Sequence, residues 1–192
     1  MAISYRNFKN QDYFLHKELT KKGNNKYYFS TKSEGDLVNK LPPGFEIYEN
    51  PNGQVFLRKI RPSLITDKEK EIVIYGMKEY SKVNNFKIDI KKDIITIYTS
   101  DQDLEELSKI LEWVPRKLNV EDKKILINQI VHYSPVLRFR LIEKTKRYFT
   151  TERYCFLGSI NDWIEIGNID KLEKLIRKYV RHLGQESFYD LI

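Results

Sequence analysis

Two stretches of the chain set adjacent aromatic rings beside cations. Lys26-Tyr27-Tyr28-Phe29-Ser30-Thr31 follows the basic turn Thr20-Lys21-Lys22-Gly23, and Arg147-Tyr148-Phe149-Thr150-Thr151 follows Lys144-Thr145-Lys146. Ammonium and guanidinium groups can meet phosphates while a ring between them stacks on a base, so the pattern is that of a nucleic-acid-binding hairpin. Alternation along a strand puts Lys26, Tyr28, Ser30 and Lys32 on one face and Tyr27, Phe29 and Thr31 on the other. Tyr28 is then the stacking candidate. Lys21, Lys22, Lys26, Lys32, Arg58, Lys59 and Arg61 are the candidate phosphate contacts in the first third of the chain. Arg138 and Arg140, which alternate away from Leu137, Phe139 and Leu141, extend the set together with Lys144, Lys146 and Arg147. The reading requires these charges to converge on one surface. The plainer alternative is a half-buried sheet with a solvated charged face, where Tyr contributes apolar area and wets its hydroxyl.

Catalytic signals are thin. His16, His132 and His182 stand singly, without the spacing of a zinc site. There is no GxSxG, Walker A or GxGxxG among eight glycines. Asp89-Ile90-Lys91 matches the strand-borne acid-x-Lys of metal nucleases. Glu121-x-Lys123 and Asp122-x-Lys124 match as well, which is the frequency that 27 acids and the lysine content give by chance. Asp101-Gln102-Asp103-Leu104-Glu105-Glu106 could attract a divalent ion, yet acids in a first helical turn are already favoured by the helix dipole. Cys155, the single cysteine, excludes an internal disulfide and sits among apolar neighbours as a structural thiol. The expectation is a binding protein rather than an enzyme, with no catalytic residue, metal or cofactor.

Composition agrees with a folded binding protein. The 192 residues are 41% hydrophobic and 32% charged, with 13 Tyr and 10 Phe as core material. The net charge of +7 is unevenly placed: residues 1–62 carry eleven Lys and Arg against six acids, residues 101–133 five against seven, and residues 134–192 eleven against eight. A positive field favours polyanionic partners. The N-terminus lacks the pattern of a signal peptide and no apolar run is long enough to span a bilayer, so no membrane partner and a cytoplasmic location are expected.

The elements that must position these residues are mostly hairpins. Asp12–Leu19 and Lys26–Lys32 flank a Gly- and Asn-bearing loop, and Phe45–Glu49 and Gln54–Ile60 flank Asn50-Pro51-Asn52-Gly53, a strong turn signal. Thr66 and Glu69 form a capping box for a helix to about Ser81, with Ile72, Val73, Met77 and Tyr80 on one face. Strands follow on either side of Lys91–Asp93. Ser100 with Asp103 opens a helix that stops before Pro115, and Asn119 opens another that ends before Pro135. Val136–Glu143 and Tyr148–Leu157 form a second basic hairpin, and Asp162–Ile166 adds a short strand. A last helix, capped by Asp170 and closed by Gly184, carries the stripe Leu172, Leu175, Ile176, Tyr179, Val180 and Leu183, with Lys171, Lys174, Lys178 and Arg181 on its outer face.

The class is therefore α+β, with mainly antiparallel hairpins, three to four helices, and an amphipathic C-terminal helix packed on the sheet. A hairpin-rich part over 1–62 precedes an α+β part over 63–192, or the two form one continuous domain. The helices from Ser100 and Asn119 followed by a basic hairpin also match the order of a winged helix, with Asn128 and Gln129 as adenine-reading types. The acidic pair Glu121-Asp122 would repel phosphates there. The leading expectation is nucleic-acid or other polyanion binding. The alternative is a protein-interaction module or assembly subunit using Tyr48, Trp113 or Trp163.

Overall fold

Turn chemistry and helix caps place nearly every element. A computed structural model describes residues 2–102, 104–112, 119–157 and 160–191. In chain order the elements are β1 (Ser4–Arg6), β2 (Asp12–Leu19), β3 (Asn25–Ser30), β4 (Phe45–Glu49), β5 (Val55–Lys59), α1 (Asp67–Tyr80), β6 (Phe86–Lys91), β7 (Ile94–Ser100), α2 (Leu104–Glu112), α3 (Val120–Ile130), β8 (Tyr133–Glu143), β9 (Tyr148–Leu157), β10 (Ile160–Lys171) and α4 (Leu172–Tyr179). The fold is α+β with antiparallel sheets throughout. Among the described residues no helix is long and apolar enough to cross a membrane. Asp103, Trp113 and Pro115 lie outside the described residues.

The chain divides into two compact units, Met1–Arg61 with Gln102–His132, and Pro62–Asp101 with Tyr133–Ile192. In the first, β1, β2 and β3 form a three-stranded sheet and β4 and β5 a two-stranded one. Gly23 (φ +77°) and Gly53 (φ +82°) take the left-handed backbone their turns need. Asn50 Oδ1 accepts from the amides of Asn52 and Gln54, which fixes the second turn. Glu49 joins the two hairpins, accepting from Tyr5 Oη (2.8 Å) and the Phe8 amide (2.9 Å). That bond, together with burial and the carboxylate's charge, pushes the Tyr5 phenol above its ordinary value. β1 was not among the expected strands; three residues paired to β2 carry too short a pattern to read. Asn119 caps α3 as expected, accepting from the Asp122 amide (2.8 Å). The α3 apolar positions are only partly covered, with Leu126 and Ile127 half-buried and Ile130 52% exposed. Lys9 Nζ donates to the carbonyls of Gln129 (3.2 Å) and Val131 (2.8 Å) at the α3 C-terminus, where unpaired carbonyls favour a cation.

The second unit is a meander of five strands, ordered β10-β9-β8-β7-β6. One sheet face, bearing Ile95, Ile97, Leu137, Phe139, Phe149 and Ile166, packs with Val73 and Met77 of α1 and with Leu172, Leu175, Ile176 and Tyr179 of α4. The capping box at Thr66 and Glu69 is complete. The C-terminal stripe is buried throughout, each member at 2% exposure or less, with Val180 and Leu183 reached through a 3-10 turn after α4.

Four expectations are corrected here. Ser100 is the last residue of β7, paired with Tyr133, and does not open α2, which starts at Leu104. Pro135 lies inside β8 rather than before it, at a register shift where β8 pairs only with β7, so its missing N–H interrupts nothing on the β9 side. β10 runs on through Gly167 and Asn168 to Lys171; the Gly-Asn pair marks a bulge, with Gly167 at φ +68°. Asp170 does not cap α4. Lys171 is the cap residue and makes no side-chain cap bond, while Asp170 Oδ1 accepts from the Lys171 amide (2.8 Å) and pairs with Lys174 (3.3 Å). Together these bonds outweigh burial and hold the Asp170 carboxyl below its ordinary value.

Candidate nucleic-acid interface

The thirteen residues singled out from the sequence divide between the units. Eight (Lys21, Lys22, Lys26, Tyr28, Lys32, Arg58, Lys59 and Arg61) belong to the first, and five (Arg138, Arg140, Lys144, Lys146 and Arg147) to the second. A winged helix would unite α2, α3 and the β8–β9 hairpin, and these too fall in different units.

In the first unit, register pairs His16 with Tyr28 and Glu18 with Lys26, so all four share one face of the sheet. Lys26 is ion-paired to Glu18 (2.8 Å), and Tyr28 stacks on the buried His16 ring at 5.4 Å between centroids. The Lys26 ammonium sits 5.7 Å from the Tyr28 centroid, and His16 Nε2 bonds the Lys32 carbonyl (2.9 Å). Tyr28 thereby keeps 36% exposure, with one partner already against its ring. Arg58 is ion-paired to Glu46 (2.8 Å) and lies over the Tyr48 ring (4.0 Å). Lys21, Lys22, Lys32, Lys59 and Arg61 are exposed and have no ion-pair partner among the described residues.

In the second unit Arg147 serves the fold. It occupies the β8–β9 turn at φ +53° and donates to Glu69 through Nε (2.9 Å) and Nη2 (2.5 Å), and to the Leu64 carbonyl (2.9 Å). Burial pushes the Glu69 carboxyl up, yet Arg147 and the Thr66 amide and hydroxyl together hold it below its ordinary value. Lys146 pairs loosely with Glu143 (3.8 Å), and Lys144 is exposed at the turn.

Arg138 and Arg140 have different surroundings. Alternation sends them to the sheet face opposite the helices, where no described element of this unit packs. Register then assembles two rows across the strands, Asp89, Thr96, Arg138, Glu152 and Glu165, and Lys91, Ile94, Arg140 and Thr150, and pairs Lys87 with Tyr98 on one side and Tyr154 with Trp163 on the other. Glu152, 9% exposed, is shared by both guanidiniums. Arg138 Nε holds it closely, whereas Arg140 reaches it only at 3.3 and 3.5 Å, leaving most of its donor fork uncommitted. Trp163 lies under Arg138, 4.2 Å from guanidinium carbon to ring centroid, and meets Tyr154 edge-on at 5.2 Å. The Tyr154 hydroxyl donates to Asn161 Oδ1, which fixes that ring. Two residues further along β9, Phe156 lies on the same face at 77% exposure.

Asp89 pairs with Lys91 (3.1 Å) at the β6 edge of this face. Among the described residues no three His, Cys, Asp or Glu side chains gather as a metal ion requires. Burial pushes the phenols of Tyr98 and Tyr133 above their ordinary values, so both hydroxyls stay protonated at neutral pH.

Arg138 and Arg140 were expected at an interface, but Glu152, Tyr154 and Phe156 were not, and Trp163 was read as a protein-contact residue. The signal available was the alternation Thr150, Glu152, Tyr154, Phe156 within one strand; the partners on β8 and β10 depend on register. No protein-family model, curated protein or solved structure matches the chain.

Proposed function

We propose that this protein binds polyanions, nucleic acid foremost, using the face of the five-stranded sheet opposite α1 and α4 and the exposed lysines of the N-terminal hairpins. One observation carries the reading: two guanidiniums share a single carboxylate, Glu152, beside aromatic rings on the sheet face opposite α1 and α4. A surplus cation with unused donors on a half-buried surface is satisfied by an anion, and phosphate matches the guanidinium fork. Lys21, Lys22, Lys32, Lys59 and Arg61 add a second set of uncommitted charges suited to sequence-independent phosphate contact.

Fluorescence anisotropy with labelled RNA, DNA and heparin across a salt series tests this. Binding whose log affinity falls linearly with log salt is expected, and Arg140→Gln should reduce that slope by about one. Absence of binding at low salt, or a slope untouched by Arg140→Gln, would overturn it.

A second reading, a protein-interaction surface, is favoured by a different feature. A groove of about 400 Å³ between α1 and α4 is lined by Ile72, Tyr75, Gly76, Tyr80 and Ile176, with Tyr75 61% exposed. Exposed tyrosines beside an apolar groove suit a protein contact. Capture of a partner by the wild type and by Tyr75→Ala with equal yield would remove this reading.

A further inference from the structure

We infer that the open sheet face of the second unit takes single-stranded nucleic acid, with bases stacked at Phe156 and Tyr154 and phosphates on Arg140. The inference rests on the polyanion-binding reading and names the class of polyanion. The rings decide between classes. A duplex buries the faces of its bases in its own stack and offers a protein mainly phosphates and groove edges, so exposed rings gain little from it. Single strands present unstacked bases, each with a face that an aromatic side chain can cover.

The geometry on β9 fits that use. Tyr154 and Phe156 project from the same face two residues apart, a separation of roughly 6.6 Å at strand rise, which is about twice the spacing of stacked bases. That leaves room for one flat base between them. Phe156 is 77% exposed, an apolar ring with no polar group to wet, while the Tyr154 ring is held by Asn161 and buttressed by Trp163. Trp163 has Arg138 against its face, so its role is to hold Tyr154 and Arg138 in place. Arg140 lies farther along the sheet, paired with Thr150 four residues before Tyr154, so ring and guanidinium are spaced for different nucleotides of one strand. An acidic polypeptide would engage Arg140 but has nothing to stack.

The test uses the full chain and labelled oligonucleotides of about ten nucleotides, single-stranded RNA and DNA against the matching duplex, with inorganic polyphosphate and polyglutamate as anions without bases. Single strands are expected to bind most tightly. Phe156→Ala should lower the ratio of single-strand to polyphosphate affinity about tenfold, within what one lost stack costs. Val120→Ala, at a still more exposed position (85%) but on α3, should leave that ratio unchanged. Equal affinity for duplex and single strand, an unchanged ratio in Phe156→Ala, or preference for polyglutamate would overturn this inference while leaving polyanion binding intact. Failure to bind any of these anions would remove both readings together.

Discussion

At the scale of single residues, the second unit hangs two of its parts on one ion pair. Glu69 completes the α1 capping box and simultaneously receives Arg147 from the β8–β9 turn, at 7% exposure. Its carboxyl is held below its ordinary 4.5, so the unfolded chain takes up the proton first. The stabilisation is complete above about pH 4.5 and is lost as pH falls through the lower native value. Glu69→Gln should therefore cost about 2 kcal/mol at neutral pH, the scale of charge-assisted hydrogen bonds. The difference from wild type should shrink toward zero in acid, as urea titrations from pH 7 to pH 3 would show. A constant difference across that range would mean that Glu69 acts by shape alone. The capping box was legible because both members lie within four residues of each other. Arg147 was not, because its partner lies 78 positions away and a basic residue in a turn looks like a solvent or phosphate contact.

At the scale of elements, one close approach sets how α1 and α4 meet. Ile176 of α4 sits where a Cβ on Gly76 would be, so the glycine in mid-helix is a packing device despite its poor helix propensity. Gly76→Ala improves propensity by about 1 kcal/mol, but the overlap forces the helices apart at a cost of about 1–3 kcal/mol. The expected outcome is a net loss of stability, read as a lower urea midpoint with unchanged slope. A gain would show that Ile176 moves aside freely. Gly167 has the same kind of duty in the β10 bulge, where the buried Tyr179 hydroxyl fills the space a side chain would take. Hairpins such as Phe45–Glu49 with Val55–Lys59 were legible to within a residue or two because their turns are written locally. The long course of β10 was not, since a Gly-Asn pair reads as a stop unless a neighbouring strand and helix require a bulge. The rows of the open face were hidden for a related reason. Strand alternation gives each face, but only register brings Trp163 beneath Arg138.

At the scale of the molecule, the 31 residues from Gln102 to His132 leave the meander between two strands that are themselves neighbours. Ser100 pairs with Tyr133 and Thr99 with Ser134, and Ser134 Oγ donates to Asp101 Oδ2 (2.7 Å), so the departure and return points are already joined. Pro62–Ile192 with Gln102–His132 replaced by an Asn-Gly turn should fold alone, with a dispersed NMR spectrum and a cooperative thermal transition. A molten product would mean that the second unit depends on the first.

The same excursion has a consequence for synthesis. The first unit is discontinuous, so its β-hairpins leave the ribosome 71 residues before its last helix is complete. At ordinary elongation rates that is a wait of about 4 to 14 s, long compared with hairpin formation. During that interval the early hairpins hold whatever structure they can form without α2 and α3. The pace of translation across residues 62–132 therefore sets how long this protein, newly made, stays half assembled.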